Sequence, residues 1–251
     1  VLFLEPQPTR FDLRFQLFDV PVRVDPWFWL ISLFSSGANT PPLYVLLWVG
    51  LVFVSILVHE FGHVLAFRYY QIRSHVVLYG FGGLAIPTYR GRLDPRAAMV
   101  VSFAGPLAGF IFAAVLVLGL RLSGFHTEFD FGFPEIIDWA FVDPDTGMPT
   151  LLLNDKLRFL FNQLLFVNIF WGLVNLLPIY PLDGGQIARS AFELSDTPDS
   201  LRKSLILSMV AAIAMAIYGL RSSSMFYVFI FGYLAYQNYQ ELQSQGYGRR
   251  W

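Results

Sequence analysis

The chain has 251 residues, no Cys, 17 basic against 18 acidic side chains, and 55% hydrophobic residues, 26 of them Phe. Charged residues make up only 14%, against about 25% in an ordinary soluble domain, and the mean hydropathy is +0.53. So few charges cannot tile a water-facing surface, so the composition points to a membrane protein. A net charge of -1 excludes the basic face that nucleic acid requires, and the absence of Cys excludes disulfides, thiol catalysis and Cys-ligated metals.

The segment from Val1 carries Glu5, Asp12 and Asp19 among short apolar stretches and does not read as a cleavable signal peptide. Residues 10–25 alternate with the two-residue period of a strand pair, with Asp19 near its turn. Trp27–Phe34 is too short to span by itself; it is either a half-inserted helix or a span prolonged through Ser35–Asn39 until Pro41-Pro42. Leu43–Phe67 and Ala97–Leu120 are long enough to cross a bilayer, which takes about 20 apolar residues. Between them, residues 72–92 are β-branched and aromatic, with Gly80, Gly82 and Gly83 marking a tight turn or a close backbone approach. Residues 122–156 read as a polar, acidic loop. Leu157–Leu177, the shorter Leu205–Leu220 and the aromatic Met225–Tyr239 complete the apolar stretches.

The expected fold is an α-helical polytopic membrane protein with about six transmembrane helices and a small membrane-associated β-sheet. Residues 1–26 would form the strand pair at the cytoplasmic surface, 27–195 the core, and 196–251 C-terminal helices with a short tail. With six spans, thirteen of the 17 basic residues share one side with both termini. The bias of Arg and Lys toward the cytoplasm makes that side cytoplasmic and puts the acidic loop outside.

His59-Glu60-Phe61-Gly62-His63 lies near the end of the Leu43–Phe67 span. Residues four apart share a helix face, so both imidazoles can bind one ion while Glu60 acts on a bound water as general base. Ionisable groups in an apolar span cost about 2.5–3.5 kcal/mol each for charged types, so this cluster is hard to excuse as accidental. A zinc site needs a third ligand. His75 and His126 read better as solvated or locally bonded. Asp183 is the stronger candidate: it follows Pro178 and Pro181, which must break the helix, and precedes Gly184-Gly185. Broken backbone at membrane depth survives only where protein buries it or it lines a wet cavity.

At these residues the chain resembles the site-2 protease family of intramembrane zinc metalloproteases. The match comprises the His59–His63 motif, the Asn175 to Gly185 run, the Ala104-Gly105-Pro106-Leu107-Ala108-Gly109 string and the Gly82-Gly83 pair, and it covers roughly residues 11–195. The resemblance implies one Zn2+ per chain held by His59, His63 and Asp183, with Glu60 as catalytic acid/base and Asn175 as a substrate or oxyanion contact. Many relatives carry a His before the first span where this chain has Asp25-Pro26. Relatives often add a PDZ or CBS domain, for which no segment here is long enough.

The expected function is therefore zinc-dependent hydrolysis of peptide bonds in membrane-spanning substrates, in a prokaryotic cell membrane, with the site toward the cytoplasm. The strand over Leu78–Ile86, with Gly82 and Gly83, either holds an extended substrate by β-addition or is a structural sheet lying on the membrane. The aromatic stripe Phe161, Phe166, Phe170 and Trp171 is expected on lipid or against neighbouring helices, and the Arg90–Arg96 cluster against anionic headgroups. A non-catalytic, zinc-containing binding protein of the same fold is the alternative, against which Glu60 argues. A metal transporter would need polar residues strung across several spans, which Ala97–Leu120 and Leu205–Leu220 lack.

Overall fold

Each long apolar stretch folds as a helix, and the β-branched segments between them form a sheet. In a computed structural model, the structure describes residues 5–37, 40–88, 91–123, 126–130, 138–142, 155–195 and 199–248. For 126–130, 138–142, 155 and 245–248 it describes the main chain alone.

Two strands open the chain, β1 (Leu13–Leu17) and β2 (Val20–Val24), paired antiparallel around Phe18 and Asp19. Both turn residues have positive φ, 49° and 63°, as the favoured two-residue hairpin turn demands. Helix α1 (Pro26–Ser35) follows directly. The Asp25 carboxylate accepts from the Trp27 N–H at 2.8 Å and caps it, with Pro26 in the first turn where its missing N–H costs nothing. Asp25 thus serves as a helix cap.

Helix α2 (Pro42–Tyr69) is the first long span. Trp29 stacks on Phe53 at 5.4 Å, and the Trp48 indole donates to Ser32 O at 3.1 Å. Helix α1 therefore runs antiparallel beside the N-terminal half of α2. Strands β3 (Ser74–Tyr79) and β4 (Gly82–Pro87) form a second hairpin, closed by Gly80 and Phe81. Its tip is tight against α1: a Cβ at Gly80 would stand 2.5 Å from Ile31 Cδ1. Strand β2 pairs in parallel with β3, Val22 opposite Val76, so the two hairpins make one mixed sheet in the order β1-β2-β3-β4. Val20, Val22, Val24, Val76 and Leu78 bury their side chains with Phe28 of α1 and Ile56 and Val64 of α2.

Five more helices and a short ladder follow among the described residues. Helix α3 (Pro95–Leu122) carries Pro106 in its interior. Strands β5 (His126–Asp130) and β6 (Asp138–Val142) form an antiparallel pair, where the sequence reads as loop. Five-residue strands this charged give too weak an alternation to stand out. Helices α4 (Asp155–Asn175), α5 (Asp183–Leu194), α6 (Ser200–Arg221) and α7 (Met225–Gly248) follow.

Among the described residues, four helices are long and apolar enough to cross a membrane: α2, α3, α4 from Lys156, and α6. The protein is thus a mostly helical, multi-pass membrane protein with a small mixed sheet. Helix α1 has 10 residues, about 15 Å of helix. Helix α7 has 24 residues, but Gln237, Asn238, Gln240 and Glu241 break its apolar run.

The chain divides into two compact units, Val1–Arg90 with Ala104–Gly172, and Gly91–Phe103 with Leu173–Trp251. In the first, Leu51, Leu164 and Val167 form a second core cluster of α2 and α4 residues, joined by Phe112 and Leu116 of α3. In the second, Gly219 of α6 meets α7 so closely that a Cβ there would lie 2.9 Å from Tyr227 Cβ and Val228 N.

Candidate active site

A helix places residues four apart on one face, and α2 does so with His59 and His63 at its buried C-terminal half. The two imidazoles are 5.0 Å apart between ring centroids. Ligand atoms of His59, Glu60 and His63 all lie within 4.8 Å of one another, and all three side chains are buried. Their exposures are 5%, 4% and 8% in that order, inside a helix of mean apolar character where such groups are costly unless used.

Space for an ion beside this set comes from α3. A Cβ on Gly105 would lie 2.3 Å from His63 Nε2 and 2.8 Å from His59 Nε2. Any side chain at this position would press against both nitrogens. Helix α3 comes this near because Gly62 faces it: a Cβ there would sit 2.2 Å from Ala104 O, the close approach that small residues give membrane helices. Two imidazoles and a carboxylate beside a glycine suit a borderline-soft cation such as zinc.

Strand β4 closes another side. A Cβ on Gly83 would fall 2.4 Å from Glu60 Cγ and 2.5 Å from its Oε1, so Gly83 packs directly against the acid. Gly82 has φ +131° and faces Trp171, whose ring would be 3.2 Å from a Cβ. Tyr79 of β3, buried at 6% exposure, stands near enough to feel Glu60. Burial first, and the Glu60 charge second, push its hydroxyl well above the usual value of 10.0. It therefore keeps its proton and remains a hydrogen-bond donor.

One helical turn before His59, Ser55 accepts from Asn168 Nδ2 of α4 at 2.9 Å, and the same amide donates to Leu164 O at 2.8 Å. Both side chains are buried, so a polar tie links α2 to α4 just beyond the cluster.

The other residues singled out in the sequence lie elsewhere in the chain. Asn175 ends α4 and Asp183 begins α5, both in the second unit. His75 is on β3, its Nε2 3.6 Å from Glu5 Oε1. His126 is on β5, and its side chain is outside the described residues, as is Arg90. Arg92 pairs with Glu193 of α5.

The profile of peptidase family M50 matches residues 47–218, from α2 through most of α6. The chain belongs to peptidase family M50. It is 25% identical over 223 residues to a zinc metalloprotease of Methanocaldococcus jannaschii, covering 86% of this chain and 56% of that protein. It is 27% identical over 169 residues to stage IV sporulation protein FB of Bacillus subtilis, covering 66% and 46%. The chain thus spans about half the length of these M50 relatives. The solved site-2 protease of Methanocaldococcus jannaschii shares the fold at a TM-score of 0.57 and 21% identity, over 92% of this chain and 95% of that one.

Tyr79, beside this M50 motif, escapes a reading of the sequence. It nears Glu60 through the hairpin, and although a close backbone approach is legible at Gly83, no local pattern announces that it is to a helix residue some 20 positions earlier. Asn168 did leave a signal: an amide in the middle of an apolar span. Of the aromatic stripe, Phe166 is 40% exposed and stacks on Phe170, whereas Trp171 packs inward with the α2 and α4 cluster.

Proposed function

We propose that this chain is an intramembrane zinc metalloendopeptidase that hydrolyses peptide bonds of membrane-spanning substrates, in regulated intramembrane proteolysis or in clearance of signal-peptide remnants. The observation that carries this reading is the buried His59–Glu60–His63 cluster, its ligand atoms within 4.8 Å of one another, on an apolar helix in a family of peptidases.

His59 and His63 would hold the ion, with Asp183 as the third ligand. Zinc in that set supplies Lewis acidity, making water acidic and a carbonyl electrophilic. Glu60 accepts the proton of the attacking water and later returns it to the leaving amine. Gly83 leaves Glu60 its room, and Tyr79 adds a donor nearby. Asn175 contributes a hydrogen bond to the carbonyl oxygen as it gains charge. A helical substrate hides its peptide bonds, so it must be unwound. The outer edge of β4, last in the sheet among the described residues, would hold it extended by strand addition, with Gly82 and Gly83 beside it.

The partners on this reading are a transmembrane protein or peptide and the surrounding lipid. The Arg and Lys bias puts the site toward the cytoplasm of a prokaryotic cell. Six passages remain the reading of the whole chain, with α7 as one and α1 as another. Strand β2 pairs with β3, which follows α2, so the chain must return to the start of α2 between residues 26 and 41.

The test is Glu60→Gln in the purified, metal-loaded protein. Zinc should stay at about one per chain while cleavage of a membrane peptide is abolished. Unchanged cleavage would reject Glu60 as the base and favour a different reading of the cluster.

A further inference from the structure

The segment that delivers Asp183 is pinned to α6 and α7 through one residue. After α4 ends at Asn175, Pro178 and Pro181 prevent a helix, and the main chain loses its regular partners. At membrane depth those groups must be satisfied by protein. Tyr180, three residues before Asp183, has both of them taken by side chains. Its N–H donates to Ser208 Oγ of α6 at 3.0 Å, and its carbonyl accepts from Asn238 Nδ2 of α7 at 2.7 Å. Ser208 is 1% and Asn238 2% exposed. The Asn238 amide cannot be turned round, because its nitrogen also donates to Leu234 O at 2.8 Å, and two carbonyls demand the donor end. Gly185 completes the fit: a Cβ there would lie 2.3 Å from Tyr180 N.

We propose that Ser208 and Asn238 are positioning residues for the Asp183 carboxylate. By gripping the two faces of one peptide residue, they fix the register in which the proline-broken segment enters α5 and presents its first side chain. Two helices far along the sequence thereby set the geometry of a metal ligand that neither of them carries. The proposal rests on Asp183 being the third zinc ligand.

Four variants of the full chain test it: Asp183→Ala, Ser208→Ala, Asn238→Leu, which keeps the volume but loses the donor, and Leu234→Ala, which perforates the same buried face of α7 without touching Tyr180. Two quantities are read, zinc retained against a graded chelator and amide exchange at Tyr180 in the metal-free protein. Asp183→Ala should lose zinc. Ser208→Ala and Asn238→Leu should release it at about tenfold lower chelator, the scale of indirect support to a metal ligand, and should speed exchange at Tyr180. Leu234→Ala should keep wild-type retention even if its melting temperature falls as far. Wild-type retention in both Ser208→Ala and Asn238→Leu, with zinc lost from Asp183→Ala, overturns the proposal and leaves the ligand intact. Equal loss in Leu234→Ala overturns it too, by showing a general packing effect. Wild-type retention in Asp183→Ala removes the ligand assignment itself, and the proposal with it.

Discussion

Gly83→Ala is the sharpest single perturbation of the reaction centre. The added Cβ would lie 2.4 Å from Glu60 Cγ, 2.5 Å from Oε1 and 2.7 Å from Cδ. Ordinary carbon contacts begin near 3.4 Å, so the Glu60 side chain or strand β4 must retreat by about 1 Å. A misplacement of about 1 Å at a reacting group costs roughly 100-fold in rate, or about 2.7 kcal/mol at 1.36 kcal/mol per decade. The three atoms nearest that methyl group all belong to Glu60, whereas Gly105 is the glycine that faces the His59 and His63 nitrogens. The expected phenotype is a roughly 100-fold fall in kcat, with zinc content unchanged and KM little altered. Single-turnover cleavage of a membrane peptide, with metal analysis on the same preparation, reads all three. A wild-type kcat would refute the reasoning. A rise in KM with kcat preserved would move Gly83 from the acid to the substrate groove.

Gly105→Ala attacks the other wall: with a Cβ 2.3 Å from His63 Nε2, it should cut zinc content sharply while the apo protein keeps its helical circular dichroism. Asn168→Ala and Ser55→Ala each break the 2.9 Å tie between α4 and α2. A double-mutant cycle on unfolding should give a coupling of about 0.6–1.7 kcal/mol, as for buried polar pairs between membrane helices. Asp12 supplies a pH dependence. Burial raises its pKa, but hydrogen bonds from Thr9 and the hydrogen bond and charge of Arg23 outweigh that and hold it below the ordinary 3.8. A depressed carboxylate stabilises the fold above its unfolded pKa, and that stability is lost as pH falls through the folded value. Protease resistance of the N-terminal strands should therefore drop as the pH goes below 3.8, and Asp12→Asn should abolish that acid-dependent part.

Hydropathy alone finds, to within a few residues at each end, the four described helices that are long and apolar enough to cross a membrane, because a run of about 20 apolar residues has few other uses. The two hairpins are legible from their alternation and glycines. What cannot be read is anything set by pairing at a distance. Nothing in residues 20–24 announces that they will lie beside 76–78, and the alternation of β5 and β6 is swamped by acidic residues. The metal cluster is legible because helical periodicity makes His59 and His63 neighbours without tertiary information. The crowding of Gly83 on Glu60, the gap opened by Gly105, and the grip of Ser208 and Asn238 on Tyr180 are products of packing, for which a sequence offers only unexplained small or polar residues in apolar surroundings.

The parallel pairing of Val22 with Val76 also has a consequence for biogenesis. The first hairpin leaves the ribosome some fifty residues ahead of the strand that will cover its edge. It must wait, unpaired on one side, while α1 and α2 are handed to the insertion machinery. Such long-range closure is slow, and an uncovered edge invites wrong partners. Nascent chains whose residues 74–87 are still inside the ribosome should therefore bind chaperones through their N-terminal strands, and those from which residues 74–87 have emerged should not.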